Sequence, residues 1–286
     1  MSDPDTELAL YREGLELQER GDSAAAEAAW REASQGNSSG ARAAALALGA
    51  LLHDRGDFAG AAGEWHWAAG AAEEDVGVPA AVNYGRLISY TEFGYGDLPM
   101  NARVGKSPAA KSLGGYDVAE ADRLWRRAAE SDHPDAAWAW IGLGRLYDRS
   151  ELADEPDWDK SEDSYRRAMA SGHPDARPCG AMKLGRLLTE RRRFTGAADA
   201  EERALEALQA AVDSGRPEWA GIAAFDVGGI YAERGDKSNA ERYWRIAEAS
   251  GNDAILPAAQ SALHDRNSAF RAGLRQRSGL RGFFSN

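Results

Sequence analysis

The sequence predicts an all-α protein built from about six helix-turn-helix repeats. A small residue recurs in each predicted first helix, and we call it the anchor position: Gly14, Gly49, Gly85, Gly144, Gly185 and Gly228. Each predicted second helix carries a small-x3-large-x2-Ala pattern, whose large residues are Trp30, Trp65, Trp125, Tyr165, Leu208 and Trp244. Because residues three or four apart share a helix face, each anchor glycine leaves a notch that the large residue fills.

Turn residues support the boundaries of these repeats. Three repeats separate their two helices with Arg20-Gly21-Asp22, Arg55-Gly56-Asp57 or Arg234-Gly235-Asp236. Each triplet offers a cation in the last helical turn, a glycine just past the helix end and an aspartate that can cap the next helix. The joints between repeats read Ser131-Asp132-His133-Pro134-Asp135 and Ser171-Gly172-His173-Pro174-Asp175. We interpret the histidine of each joint as a turn residue rather than as a metal ligand.

Three repeats carry extra residues between the anchor and the large residue. The separation is 16 residues in repeats one, two and six, but 40, 21 and 23 in repeats three, four and five. We expect the extra residues to lie in the turn between helices, because an insertion within a helix would rotate one face off the core. The longest insertion, 94–116, is a loop that either contacts the groove or a partner or serves as a disordered spacer. The second, 151–160, is predicted to be a solvated acidic loop.

The middle of the chain carries the most specific motif. Trp140-Ile141-Gly142-Leu143-Gly144-Arg145-Leu146-Tyr147 reproduces a W-x2-L-G-x2-Y opening, which Ser161, Tyr165 and Ala168 and then Pro174 complete. The sequence resembles the tetratricopeptide repeat superfamily, and repeats four and five resemble its Sel-like branch. The resemblance implies a right-handed α-solenoid over 1–265, with a last helix near 253–265 as a terminal cap.

The resemblance also implies a function, namely protein binding. First helices of such proteins line a concave groove that holds a peptide or a helix of a partner. The groove positions lie three residues before and one residue after each anchor. At the position one residue after the anchor, three consecutive repeats carry arginine: Arg86, Arg145 and Arg186. The predicted groove residues are Asn83, Arg86, Tyr90, Trp138, Ile141, Arg145, Met182, Lys183 and Arg186.

The row of Arg86, Arg145 and Arg186 predicts the chemistry of the partner. Guanidinium groups over an apolar strip suit a peptide that carries acidic residues or a free C-terminal carboxylate. The alternative is that these arginines pair with acids of neighbouring helices, such as Asp148 or Glu190, and only solvate the groove.

Composition narrows the remaining function classes. A net charge of -12 argues against nucleic acid wrapping by the whole chain. The basic tail 266–286, with five arginines and no acid, leaves weak nucleic acid contact as one alternative; a structural subunit of an oligomer is another.

No catalytic motif, metal site or cofactor site is recognisable, so we expect neither an enzyme nor a small-molecule substrate. A single cysteine, no signal peptide and no long apolar run predict a cytoplasmic location without a membrane role, and the excess of arginine over lysine suggests a bacterial source.

Overall fold

The computed structural model describes residues 3–89, 117–148, 156–197 and 199–264, and these residues form thirteen α-helices and no strand, which confirms the predicted all-α class. Tyr90, the insertion 94–116, the first part of the acidic insertion and the tail 266–286 lie outside the described residues. The helices are α1 (Pro4–Glu19), α2 (Ser23–Ala33), α3 (Ser39–Asp54), α4 (Phe58–Ala68), α5 (Glu74–Ser89), α6 (Val118–Ala129), α7 (Ala136–Asp148), α8 (Trp158–Ala170), α9 (Ala176–Thr195), α10 (Ala200–Asp213), α11 (Pro217–Glu233), α12 (Lys237–Ala249) and α13 (Leu256–His264).

The chain divides into two compact units. Unit 1 comprises Met1–Asp157 and contains α1 to α7, whereas unit 2 comprises Trp158–Asn286 and contains α8 to α13. The two helices of the fourth predicted repeat, α7 and α8, therefore belong to different units. Each unit is described separately below.

In unit 1 the anchor glycines accept tryptophan rings as predicted. A Cβ atom on Gly14 would lie 2.2 Å from Nε1 of Trp30, and one on Gly49 would lie 2.5 Å from Nε1 of Trp65. No side chain larger than hydrogen fits at either position. The indole N–H of each ring donates a hydrogen bond to the carbonyl three residues before the anchor, over 3.1 Å to Tyr11 and 3.2 Å to Leu46.

Trp125 of α6 joins two first helices of unit 1. Its Nε1 would lie 2.5 Å from a Cβ on Gly85 of α5, and its Cδ2 would lie 2.6 Å from a Cβ on Gly142 of α7. The ring is 0% exposed, and its N–H donates to the carbonyl of Val82 over 3.3 Å. The Gly-Leu-Gly sequence of α7 thus supplies a second notch, two residues before the predicted anchor, and Trp125 is packed against both glycines.

Unit 2 repeats the same packing with different side chains. A Cβ on Gly185 of α9 would lie 2.4 Å from Cγ of Leu208, and one on Gly228 of α11 would lie 2.4 Å from Nε1 of Trp244. The short α13 packs against α12, in agreement with the predicted terminal helix. The pairing of a glycine with a large side chain therefore holds in both units.

The turns within repeats have the predicted chemistry. Gly21, Gly56 and Gly235 adopt left-handed conformations, with φ of 83°, 81° and 81°. The aspartate that follows each glycine accepts a hydrogen bond from a backbone N–H of the next helix, as Asp22 does from Ala25 over 3.0 Å. These interactions end one helix and start the next within three residues.

The joints between repeats are closed by local hydrogen bonds. His173 Nδ1 accepts the backbone N–H groups of Asp175 and Ala176, each over 3.1 Å, and His133 Nδ1 accepts that of Asp135 over the same distance. Asn252 takes the same role in the joint before α13, where its Oδ1 accepts the N–H of Ala254 over 2.9 Å. The joint histidines are turn residues, as predicted.

Repeat five departs from the expected placement of its extra residues. We expected all of them in the turn, but α9 has 20 residues whereas α1 and α3 have 16 each. The extension follows Gly185, so it lengthens the helix beyond its contact with Leu208 without rotating the packed face. The additional turn carries Arg191, Arg192 and Arg193, and their ion pairs stabilise it.

Candidate functional site

The first-helix face of each unit consists of the side chains three residues before and one residue after the anchor positions. On α1 and α3 of unit 1 this face is apolar and accessible. Leu15 is 39% exposed, Ala50 is exposed, and Tyr11 and Leu46 are half-buried. Because α1 packs against α3, these four side chains lie at equivalent positions of neighbouring helices, and we call them the apolar strip. Among the described residues of unit 1, Leu15 is the one exposed large hydrophobic residue.

On α5 the first-helix face becomes basic. Arg86 occupies the position after Gly85 and is half-buried, whereas Val82, three residues before the anchor, is buried. Asn83 is half-buried and lies three residues before Arg86, on the same side of the helix. Because α3 packs against α5, the apolar strip of α1 and α3 borders this polar pair.

On α7 the predicted groove residues are largely enclosed. Ile141 is 0% exposed and Arg145 is 6% exposed, whereas Trp138 is half-buried. Ile141 therefore contributes to the core of unit 1. Arg86 and Arg145 occupy equivalent positions of α5 and α7, and these two helices pack against each other. Arg86 is the more accessible of the two arginines.

In unit 2 the arginine at the equivalent position is engaged by an acid. Arg186 Nε lies 2.5 Å from Oδ2 of Asp226 on α11, and Nη2 lies 3.4 Å from Oδ1. The two side chains are 29% and 23% exposed, so the pair is shielded on most sides. Met182 and Lys183 are 1% and 8% exposed and belong to the packed interior. Asp226 lies two residues before the anchor of the next first helix, and it is not among the acids predicted from the sequence for this row, Asp148 and Glu190.

A network of ion pairs in unit 2 also escaped the sequence analysis. Glu162 of α8 has a side chain that is 5% exposed, and it pairs with Arg166, with Arg203 of α10 and, over 2.8 Å, with Arg191 of α9. Arg193 pairs with Glu233 of α11 over 2.6 Å, and Arg192 contacts both Glu233 and Glu201. The run Arg191-Arg192-Arg193 was the feature of the sequence that could have predicted this network. It connects four helices, so we assign it to the stability of unit 2.

One tyrosine of unit 1 has a strongly perturbed environment. The Tyr147 hydroxyl donates a hydrogen bond to Asp122 Oδ1 over 3.1 Å, and the residue is 8% exposed. Burial and then the negative charge of Asp122 raise the pKa of Tyr147 to about 12. Both effects disfavour the tyrosinate, so the phenol is a structural hydrogen-bond donor between α6 and α7.

Together, the paired helices, the glycine notches and the capped turns define an α-helical repeat fold. Among the described residues, no three histidine, cysteine, aspartate or glutamate side chains are grouped to hold a metal ion. None of the described helices combines the length and the apolar character that crossing a membrane requires.

Solved structures that are similar to this chain include two repeat proteins. The crystal structure of a Sel1 repeat protein from Oxalobacter formigenes is similar to this chain, with a TM-score of 0.57, 19% sequence identity and coverage of 90% of this chain and 87% of that chain. The crystal structure of a tetratricopeptide repeat protein from Parabacteroides merdae aligns with a TM-score of 0.40 and 14% identity, over 89% of this chain and 97% of that chain. No family model and no curated protein matches the sequence. The first similarity confirms the predicted Sel-like fold.

Proposed function

We propose that this chain is an interaction scaffold that binds a peptide or a helix of a partner protein along its first-helix face. The observation that carries the proposal is the accessible strip of Tyr11, Leu15, Leu46 and Ala50 on α1 and α3. A contiguous apolar surface on a folded protein costs free energy in water, and such surfaces commonly serve as interaction sites. The proposed function needs no metal, cofactor or catalytic group.

The proposal extends to the chemistry of the partner through the arginine row. Arg86 borders the apolar strip and presents a planar guanidinium that can pair with a carboxylate through two parallel hydrogen bonds. Arg145 is 6% exposed, whereas Arg86 is half-buried, and Arg186 belongs to the other unit from the apolar strip. We therefore assign the recognition of an acidic residue or a C-terminal carboxylate first to Arg86. Arg145, on the neighbouring helix α7, is assigned a supporting role as a buried positive charge.

A charge reversal at Arg86 tests this function. The variant Arg86→Glu and the control variant Arg123→Glu, whose side chain is 62% exposed on the second helix α6, would each serve as bait in a pull-down from the native host. We expect wild type and Arg123→Glu to retain a common set of proteins and Arg86→Glu to lose it. Equal retention by all three baits would refute the role of Arg86, and the absence of any retained protein would refute the scaffold function. Circular dichroism would verify that both variants are folded.

A further inference from the structure

We infer that α1 and α3 form a docking surface for a basic amphipathic segment of a partner protein. This inference depends on the proposed scaffold function, but it does not depend on the arginine row. It shares the apolar strip with the proposed function, but it takes the charge preference from Glu19 and Asp54 on α1 and α3 instead of from Arg86 on α5, and the two charge preferences have separate tests.

The surface contains three rows of side chains at equivalent positions of α1 and α3. Tyr11 and Leu46 form the first row, Leu15 and Ala50 the second, and the third row lies four residues further along each helix, at Glu19 and Asp54. Residues four apart share a face of an α-helix, so an apolar strip lies beside a row of carboxylates. A helix that carries leucine or phenylalanine on one side and arginine or lysine at its edge matches this arrangement.

The two carboxylates of the third row are available to a partner. Glu19 is exposed, and the Asp54 side chain is 83% exposed. Within the described part of the chain, neither forms an ion pair with arginine or lysine. Glu27 of α2 provides a contrast, because it pairs with both Arg31 and Arg55 and has a side chain that is 17% exposed. Glu27 is thus used in folding, whereas Glu19 is exposed and the Asp54 carboxylate lies 3.7 Å from Nδ1 of its neighbour His53.

The charge distribution of the chain favours the same partner. Residues 3–89 and 117–148 of unit 1 contain 22 aspartate and glutamate residues but only 10 arginines and no lysine. Residues 158–264 of unit 2 are nearly balanced, with 17 acidic and 15 basic residues. The net negative charge therefore resides in unit 1, where it attracts a basic segment and repels an acidic one at α1 and α3.

Two labelled peptides of opposite charge test this inference on the full-length chain. Each is a helix of about 18 residues, roughly 27 Å long, with leucine at i, i+3 and i+4 spacings and either arginine or glutamate at the edge positions. Fluorescence anisotropy measures binding at low and at physiological salt. We expect the arginine peptide to bind, to weaken as salt increases, and to bind more tightly than the glutamate peptide.

Variants of the surface separate specific docking from general attraction. We expect Leu15→Ser, and separately the double reversal Glu19→Lys with Asp54→Lys, to weaken the arginine peptide at least about tenfold. Matched controls lie on unit 2: Phe194→Ser removes the other exposed large hydrophobic residue, and the reversal of Glu202 and Glu206 changes two exposed acids four residues apart on α10. The controls should leave the affinity unchanged.

Three results would overturn the inference: no binding of the arginine peptide, equal binding of the glutamate peptide, or equal effects of the surface variants and the controls. A failure here is distinct from a failure of the proposed function. If partner capture depends on Arg86 while the arginine peptide does not bind, the scaffold function holds and this docking surface does not exist. Thermal unfolding of each variant shows whether a loss of binding reflects a loss of folding.

Discussion

Replacement of Gly85 by alanine is expected to destabilise unit 1, the reverse of its effect at an open helical position. Alanine is favoured over glycine in a helix interior by about 0.5 to 1 kcal/mol. At Gly85, however, the new Cβ would lie 2.5 Å from Nε1 and 2.7 Å from Cε2 of Trp125. The ring has little room to move away, because Gly142 of α7 also lies against it and the residue is 0% exposed. Overpacking of a core costs about 1 to 3 kcal/mol, so we expect a net loss of roughly 1 to 2 kcal/mol.

A second glycine of unit 1 provides the matched control. Gly63 lies within α4, is exposed, and has no atom within 4 Å of a Cβ built on it. We expect Gly63→Ala to stabilise the protein by about 0.5 to 1 kcal/mol. Urea unfolding followed by circular dichroism at 222 nm measures both variants, and opposite shifts of the midpoint at an unchanged m-value are the expected result.

A double-mutant cycle assigns the cost of Gly85→Ala to the ring. Trp125→Ala alone should cost about 3 to 5 kcal/mol, as expected for the truncation of a buried aromatic ring. In that background the clash is absent, so Gly85→Ala should no longer destabilise the protein. A raised urea midpoint for Gly85→Ala in the wild-type background, or an equal cost in both backgrounds, would refute the packing of Trp125 between two glycines.

Two further predictions concern ionisable groups. Because burial and Asp122 raise the pKa of Tyr147 from 10.0 to about 12, the stabilisation by its neutral form is complete below pH 10 and is lost as the pH rises through about 12. Absorbance titration of tyrosinate should show a late step that Tyr147→Phe removes, and a titration without that step in wild type would contradict the assignment. Glu162→Gln leaves three arginines without their buried acid and should cost about 3 kcal/mol, whereas Asp163→Asn, at a side chain that is 60% exposed, should change stability by less than about 0.5 kcal/mol. Equal urea midpoints for these two variants would show that Glu162 is not essential to unit 2.

The sequence predicted those parts of the fold that depend on spacing along the chain. In repeats one, two and six a glycine and a tryptophan lie 16 residues apart, and an aspartate follows the last residue of the first helix by three residues. Both relations lie within one helix-turn-helix unit and give the same result in these three repeats. The notch of Gly14 and the cap of Asp22 could therefore be predicted and were confirmed.

The sequence did not predict features that depend on how separate helices pack. The pairing of Arg186 with Asp226 joins residues 40 apart in the sequence. Other acids, such as Asp148 and Glu190, lie at least as close to Arg186 along the chain. The different exposures of Arg86 and Arg145 arise at equivalent positions of the repeat, so the motif alone could not distinguish them. The peptide-binding role of the predicted groove residues remains a prediction. Among the described residues of this set, Asn83, Arg86, Trp138 and Arg186 are half-buried, whereas Ile141, Arg145, Met182 and Lys183 are buried.

The joints between repeats have an evolutionary consequence. Each of the joints at His133, His173 and Asn252 starts the next helix with hydrogen bonds that span two or three residues. These local hydrogen bonds need no side chain from distant parts of the chain, and Asn252 also donates to the backbone carbonyls of Pro217 and Glu218. Gene segments that begin and end at such joints can be duplicated or lost while both new boundaries still form. The length of an array like this one can therefore change by whole repeats during evolution, without compensating changes elsewhere.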